Sequence, residues 1–66
     1  MKICDFTVPE LDHFRALCNF TSEELEYFNL RARDKSNVQI AMTMNISEAK
    51  VSKLARKVKD KMIRIL

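Results

Sequence analysis

Glycine is absent from this sequence of 66 residues, and proline occurs once. Phosphate-binding loops and dinucleotide fingerprints need glycine, because a side chain would hold the backbone away from the phosphate, so both kinds of nucleotide site are excluded. Two-residue hairpin turns need positive φ, which argues against a small β-sheet. The sequence is instead 47% hydrophobic and 32% charged, which is typical of a folded domain, and these absences favour helices.

Long hydrophobic runs are also missing. No stretch approaches the ~18 apolar residues of a membrane span, and residues 1–5 do not resemble a signal peptide. We therefore expect a cytoplasmic protein in which Cys4 and Cys18 stay reduced, with Cys18 in the core. A metal site built from these cysteines and His13 would lack a fourth ligand and a close Cys-x-x-Cys pair, so we expect neither metal nor cofactor.

The short chain limits the kinds of site it can form. A domain of this size buries only about 60% of the surface of its unfolded chain, so a deep substrate cavity is not expected. The single histidine, His13, falls on the predicted exposed side of the first helix, and no nucleophile stands beside a base. We expect one domain, residues 1–66, that is not an enzyme.

Charge is unevenly distributed along the chain. Residues 1–30 hold two basic and six acidic side chains, whereas residues 47–66 hold seven basic and two acidic ones. Such separation suggests that one face meets an anion, most often a nucleic acid. A solvated, lysine-rich helix is the alternative, and charge alone leaves it open.

Helix start signals recur along the chain. In a capping box, a hydroxyl accepts a hydrogen bond from the amide of the third residue onward, and the side chain of that residue accepts one from the cap amide. The sequence predicts three such boxes: Thr7 with Glu10, Thr21 with Glu24, and Ser36 with Gln39. Ser47 is predicted to cap a fourth helix without a box. Phe6 and Phe20 precede two of the caps, at the spacing that packs them on Leu11 and Leu25. The signals predict an all-α, four-helix domain, with helices at about 8–18, 22–33, 37–44 and from 48 to the end.

Apolar residues at helical spacing predict one buried side for each helix. Helix one is expected to bury Leu11, Phe14, Leu17 and Cys18, and helix two Leu25, Phe28 and Ala32, with Tyr27 at the flank. Helix three is expected to bury Ile40, Ala41 and Met44, and helix four Val51, Leu54, Ala55, Val58, Met62 and Ile65. A neighbouring basic stripe on helix four comprises Lys50, Lys53, Lys57, Lys61 and Arg64. Because only Glu48 and Asp60 interrupt its basic residues, helix four does not neutralise its own charge.

Helices three and four have the spacing of a helix-turn-helix, over about residues 36–57. Ala41 is small where the two helices would cross, and Asn45 tolerates the left-handed backbone that the turn needs. Ile46 supplies the apolar residue after the turn, and Ser47 caps the second helix. Together these features predict a helix-turn-helix.

Residues 20–62 resemble the helix-turn-helix of LuxR-type regulators and the related region-four domain of bacterial sigma factors. The resemblance is carried by three segments: Phe20–Glu24, Ser36–Ala41 and Met44–Val51. Asn45 replaces the usual glycine, and Asp34 stands where the loop before helix three often has one. The resemblance implies binding of double-stranded DNA, with helix four in the major groove.

This docking mode assigns expected roles to individual residues. In such motifs the start of the recognition helix meets base edges, while its flanks and the preceding helix hold phosphates. The predicted DNA surface begins at Ser47, which is also expected to contact DNA. The predicted base-facing residues are Glu48, Ala49, Lys50, Ser52 and Lys53, with Arg56 close behind. The predicted phosphate contacts are Lys57, Lys61, Ser36, Asn37 and Thr43.

Other binding functions stay open at this point. The acidic first third could dock a protein, such as RNA polymerase or another regulator, as sigma-like domains do. The apolar residues within Ile63–Leu66 could pair two copies of the chain into a homodimer, or could simply be a frayed end. RNA fits less well, because no aromatic residue interleaves the basic stripe to stack on unpaired bases.

Overall fold

The computed structural model describes residues 3–66, which form α-helices and one short 3-10 turn, with no strand in that range. The 3-10 turn is Ile3–Asp5, and the helices are α1 (Val8–Leu17), α2 (Ser22–Ala32), α3 (Asn37–Met44) and α4 (Glu48–Ile63). The described residues are 75% helical, so the predicted all-α, four-helix class is confirmed. Each helix starts at the predicted residue, and α4 ends at Ile63, before the chain does.

The predicted caps account for these starts. In each of the three boxes the hydroxyl accepts the amide proton of the third residue onward, and the side chain of that residue accepts in return from the cap amide. The returning bonds, from Thr7 N to Glu10, Thr21 N to Glu24 and Ser36 N to Gln39, measure 2.8, 2.9 and 2.9 Å. Ser47 accepts from Lys50 N at 3.2 Å without a returning bond. Local hydrogen bonding therefore fixes where each helix begins.

The core lies where α4 packs against α2 and α3. The largest fully buried side chains come from these three helices: Phe28, Ile40, Met62, Val51 and Val58. Leu11 and Phe14 of α1 complete the cluster, and Ile3 joins it from the 3-10 turn. The predicted core residues Ala32, Met44, Ala55 and Ile65 are partly buried at its edge.

Burial was predicted wrongly at two positions assigned to the core, and one position assigned to the flank is buried. Leu17 and Leu25 are exposed, whereas Tyr27 is buried. Leu17 is the last residue of α1, and the chain leaves the helix there so that the next residue, Cys18, occupies the core. Burial of the Cys18 thiol raises its pKa, which keeps it in the neutral form.

The aromatic residues before the first two helices pack on other aromatic rings. Phe20 lies over Phe28, with ring centroids 5.2 Å apart, and Phe6 lies edge-on to Phe14 at 5.0 Å. Each therefore contacts an aromatic ring about one helical turn beyond the leucine that the spacing predicted. Aromatic pairs bury more area and add a favourable edge or stacking geometry, so each phenylalanine packs on a ring rather than on a leucine.

The connection between α3 and α4 is three residues long and turns through Asn45. This residue has φ 57° and ψ 47°, the left-handed conformation predicted for it. The amide of Ile46 then donates to Ala41 O at 3.0 Å, which closes the end of α3. Asp34, in the loop before α3, is the other described residue with positive φ, at 61°.

Two further findings concern membrane-spanning helices and metal ligands in the part of the chain that the structure describes. None of the helices within residues 3–66 has the length and apolar character that crossing a bilayer requires. Over the same range, no three side chains of the histidine, cysteine, aspartate or glutamate types come close enough to hold a metal ion. The two cysteines are free thiols.

The turn at Asn45 gives a stability prediction. Asn45→Ala should lower the free energy of unfolding by about 1 kcal/mol, because alanine adopts the left-handed backbone at a higher cost than asparagine does. Asn45→Gly should change it far less, because glycine adopts this conformation freely. Urea unfolding followed by circular dichroism measures both, and equal losses for the two variants would contradict the assigned role.

Candidate nucleic-acid interface

The exposed side of α4 carries a dense set of basic residues. Val51, Leu54, Val58 and Met62 face the core, so the side chains between them point outward. The basic residues among these exposed positions are Lys50, Lys53, Arg56, Lys57 and Lys59. Glu48, Ala49 and Ser52 are exposed on the first two turns of the same helix. The helix therefore presents a positive surface opposite its apolar one.

One flank of this surface borders the acidic start of α2. Lys50 Nζ lies 2.9 Å from Glu23 Oε2, and about half of each side chain is exposed, 50% and 52%. Further along α4, Lys61 Nζ donates to Glu24 Oε1 at 2.5 Å and to Asn19 O at 2.6 Å. Two of the five residues in the predicted basic stripe are thus paired with α2, and their charges are locally compensated.

Glu24 is the buried charged residue of the described chain, with 3% of its surface exposed. Burial raises the pKa of its carboxyl, but hydrogen bonds from Lys61 and from the Thr21 amide outweigh burial and hold the pKa below its ordinary value. The same carboxylate caps α2 through Thr21. Glu24 therefore joins the start of α2 to the last turns of α4.

Lys61 does not fit the phosphate-contacting role that the sequence suggested. Its ammonium is directed at Glu24 and Asn19 O, and only 27% of its side chain is exposed. Releasing it would leave a carboxylate buried without its cation, which is strongly unfavourable. Lys61 is therefore a structural residue, and we leave it out of the candidate interface.

The other flank of α4 forms an open groove with the start of α3. Asn37 lies there with Ser52, Arg56, Lys59 and Asp60. The structure thus brings together Asn37 and two of the residues expected to face bases, Ser52 and Arg56. Sequence reasoning did not select Lys59, although its spacing of seven residues from Ser52 places both on one side of a helix.

The hydroxyl groups predicted to reach DNA have other partners in the structure. Ser36 and Ser47 accept from the amides of Gln39 and Lys50 as helix caps, and each keeps its own proton to donate. Thr43 donates its proton to Gln39 O at 2.8 Å. Because phosphate oxygens only accept, Thr43 offers them nothing in this conformation.

A separate concave surface near the chain ends has a different character. It is lined by Phe6, Pro9, Glu10, His13, Phe14 and Leu66. The Glu10 carboxylate accepts from the amide and the hydroxyl of Thr7 at 2.8 and 3.0 Å, and these bonds lower its pKa. The surface is mostly apolar and lacks the lysines and arginines that an anion requires, so it is not part of the candidate interface.

No family model, curated protein or solved structure matches the chain. The resemblance to LuxR-type and sigma region-four domains therefore depends on residues 20–62 of the sequence alone. The function that it implies is taken up below as a proposal.

The buried ion pair gives a prediction about stability at neutral pH. Lys61→Met should lower the free energy of unfolding by about 1–3 kcal/mol, because the Glu24 carboxylate loses its charged partner. Lys57→Met removes an exposed charge from the same helix and should change it by less than about 0.5 kcal/mol. Urea unfolding at pH 7 compares the two variants, and equal effects would contradict the importance of the pair.

A second prediction concerns how stability changes at acidic pH. Because the pKa of Glu24 is lower in the folded protein, its contribution to stability is present above the unfolded value of about 4.3 and is lost as pH falls through the folded value. Stability should therefore decrease as pH falls below about 4.3, and Glu24→Gln should reduce this slope. Some slope should persist, because the pKa of Glu10 is lowered too. Unfolding curves from pH 7 to pH 3 measure both chains, and an unchanged slope in the variant would contradict the assignment.

Proposed function

We propose that this protein binds double-stranded DNA in a sequence-specific way and regulates transcription, with α4 as the recognition helix. The observation that carries the proposal is the exposed basic side of α4, opposite a side that is buried in the core. A helix of 16 residues is about 24 Å long and has a width that the major groove of B-DNA accepts. The family resemblance of residues 20–62 points to the same mode.

Within this proposal the residues of α4 divide by position. Lys50 and Lys53, on the first two turns, are suited to the acceptors of guanine, and Arg56 follows one turn later. On the α3 flank, Asn37 and Lys59 line one groove. We assign them to phosphates, and such contacts would fix the register of the helix. Lys57 supplies a further phosphate contact.

The proposal includes the contacts by which two chains could share one DNA site. Ile63 and Leu66 are exposed at the end of the chain, and apolar residues at that position suit contact with a second copy. A dimer with a two-fold axis would match a palindromic site.

A second candidate function is favoured by an apolar surface on α3. Val38 and Met42 are one helical turn apart and both exposed, Met42 by 76%, and they border Ile46 in the following turn. Exposed apolar residues on one helix face are typical of protein-docking sites, so RNA polymerase or another regulator is the alternative partner. In that case, reversing the charges of Lys50 and Lys53 would leave partner binding intact.

Charge reversal on α4 tests the first function. Lys53→Glu should abolish binding to random-sequence duplex DNA, measured by fluorescence anisotropy at two salt concentrations, because it replaces a cation with a carboxylate on the surface that would face the negatively charged duplex. Binding of the parent should weaken steeply as salt rises, since lysines displace condensed counterions. Helical content by circular dichroism should stay unchanged in the variant.

The matched control is Arg64→Glu, which makes the same change in net charge about 16 Å further along the same helix axis. It should weaken binding much less than Lys53→Glu. A parent that fails to bind at low salt would move protein docking to first place. Equal losses in the two variants would show that net charge, rather than the start of α4, controls binding.

A further inference from the structure

The ion pair between Glu23 and Lys50 joins the start of α2 to the start of α4. We propose that Glu23 is a specificity-determining residue that opposes contact between Lys50 and DNA phosphate, and so lowers affinity for DNA of arbitrary sequence. This inference rests on the proposed function, since it concerns how the same surface distinguishes one DNA site from others.

The first argument comes from the position of Lys50 in its helix. The other three α-helices carry Glu10, Glu24 or Gln39 at the third position, where each completes a capping box. Helix α4 carries Lys50 at that position instead, so its box is incomplete. A cation in the first turn is also unfavourable beside the positive end of the helix dipole. Helix stability therefore does not explain this lysine, whereas a binding role does.

The second argument is that a carboxylate from another helix compensates the misplaced cation. Glu23 Oε2 lies 2.9 Å from Lys50 Nζ. A carboxylate oxygen offers the ammonium the same kind of negative acceptor that a phosphate does, so the two compete for one group. Glu23 thus forms an ion pair with Lys50 when no DNA is bound.

The third argument concerns how easily this pair exchanges. About half of each side chain is exposed, so water screens the attraction and the pair separates at little cost. The neighbouring pair of Glu24 with Lys61 differs, because Glu24 is buried and cannot release its cation without a large penalty. DNA can therefore displace Glu23 from Lys50, whereas it cannot displace Glu24 from Lys61.

The competition acts unequally on phosphates and bases. A phosphate that approaches Lys50 also meets the negative charge of Glu23 at the start of α2, which repels it. The acceptors of guanine carry no net charge and are repelled far less. Glu23 therefore weakens contacts between Lys50 and phosphate, which every DNA sequence offers, more than contacts with guanine, which only some sequences offer.

The test measures binding of random-sequence duplex DNA by Glu23→Gln, Lys50→Gln and the double variant, at two salt concentrations. Glu23→Gln should raise affinity about two- to fivefold, the range expected when an exposed pair no longer competes. Its salt dependence should become steeper by about one counterion, because Lys50 is then free to neutralise a phosphate. In the Lys50→Gln background the same change should raise affinity less, because only the direct repulsion between Glu23 and phosphate is then removed.

Glu26→Gln is the matched control. Glu26 is exposed on the same helix, forms no ion pair within residues 3–66, and its replacement alters net charge equally. It should raise affinity by less than Glu23→Gln does. Equal gains from the two variants, or an equal gain from Glu23→Gln with and without Lys50, would overturn the inference.

The remaining outcomes separate this inference from the proposed function. If the parent binds DNA and Glu23→Gln binds no better, the role of Glu23 is wrong while DNA binding stands. If neither the parent nor any variant binds at low salt, both are wrong. A site then selected from a random pool supplies a second readout, because Glu23→Gln should reduce the ratio of specific to random-sequence affinity.

Discussion

The burial of one side of α4 holds this domain together, since α2 and α3 both pack on that side. Val51, Val58 and Met62 are fully buried there, and they leave the rest of the helix facing outward. A domain this small has little apolar area to spare, so one helix must serve both the core and the surface. The orientation of the basic residues is thus a consequence of core packing.

The parts of this structure that sequence predicts well are those decided within a few residues. Thr7, Thr21 and Ser36 each find their capping partner three residues away, and Asn45 takes its left-handed conformation from the turn itself. The starts of the helices follow from these contacts. Phe20 shows where such reasoning fails, because the ring that it stacks on is set by tertiary packing rather than by the local spacing.

The candidate site divides in the same way. The outward position of Lys53 and Arg56 follows from helical periodicity, so the sequence predicts it. The partners of Lys50 and Lys61 lie on α2, 27 and 37 residues earlier in the chain, and no local pattern pairs them. The basic stripe looks uniform in the sequence, but its residues differ in the structure. Lys61 forms a buried ion pair, Lys50 forms an exposed one, and the others are available to contact a partner.

The two left-handed positions have a consequence for the unfolded chain. Asn45 and Asp34 occupy conformations that proteins usually give to glycine, and the chain has no glycine at all. Every residue therefore carries a Cβ that restricts the backbone, and the unfolded ensemble samples fewer conformations than it would with glycine in the turns. Less entropy is then lost on folding, which offsets part of the disadvantage of a small core.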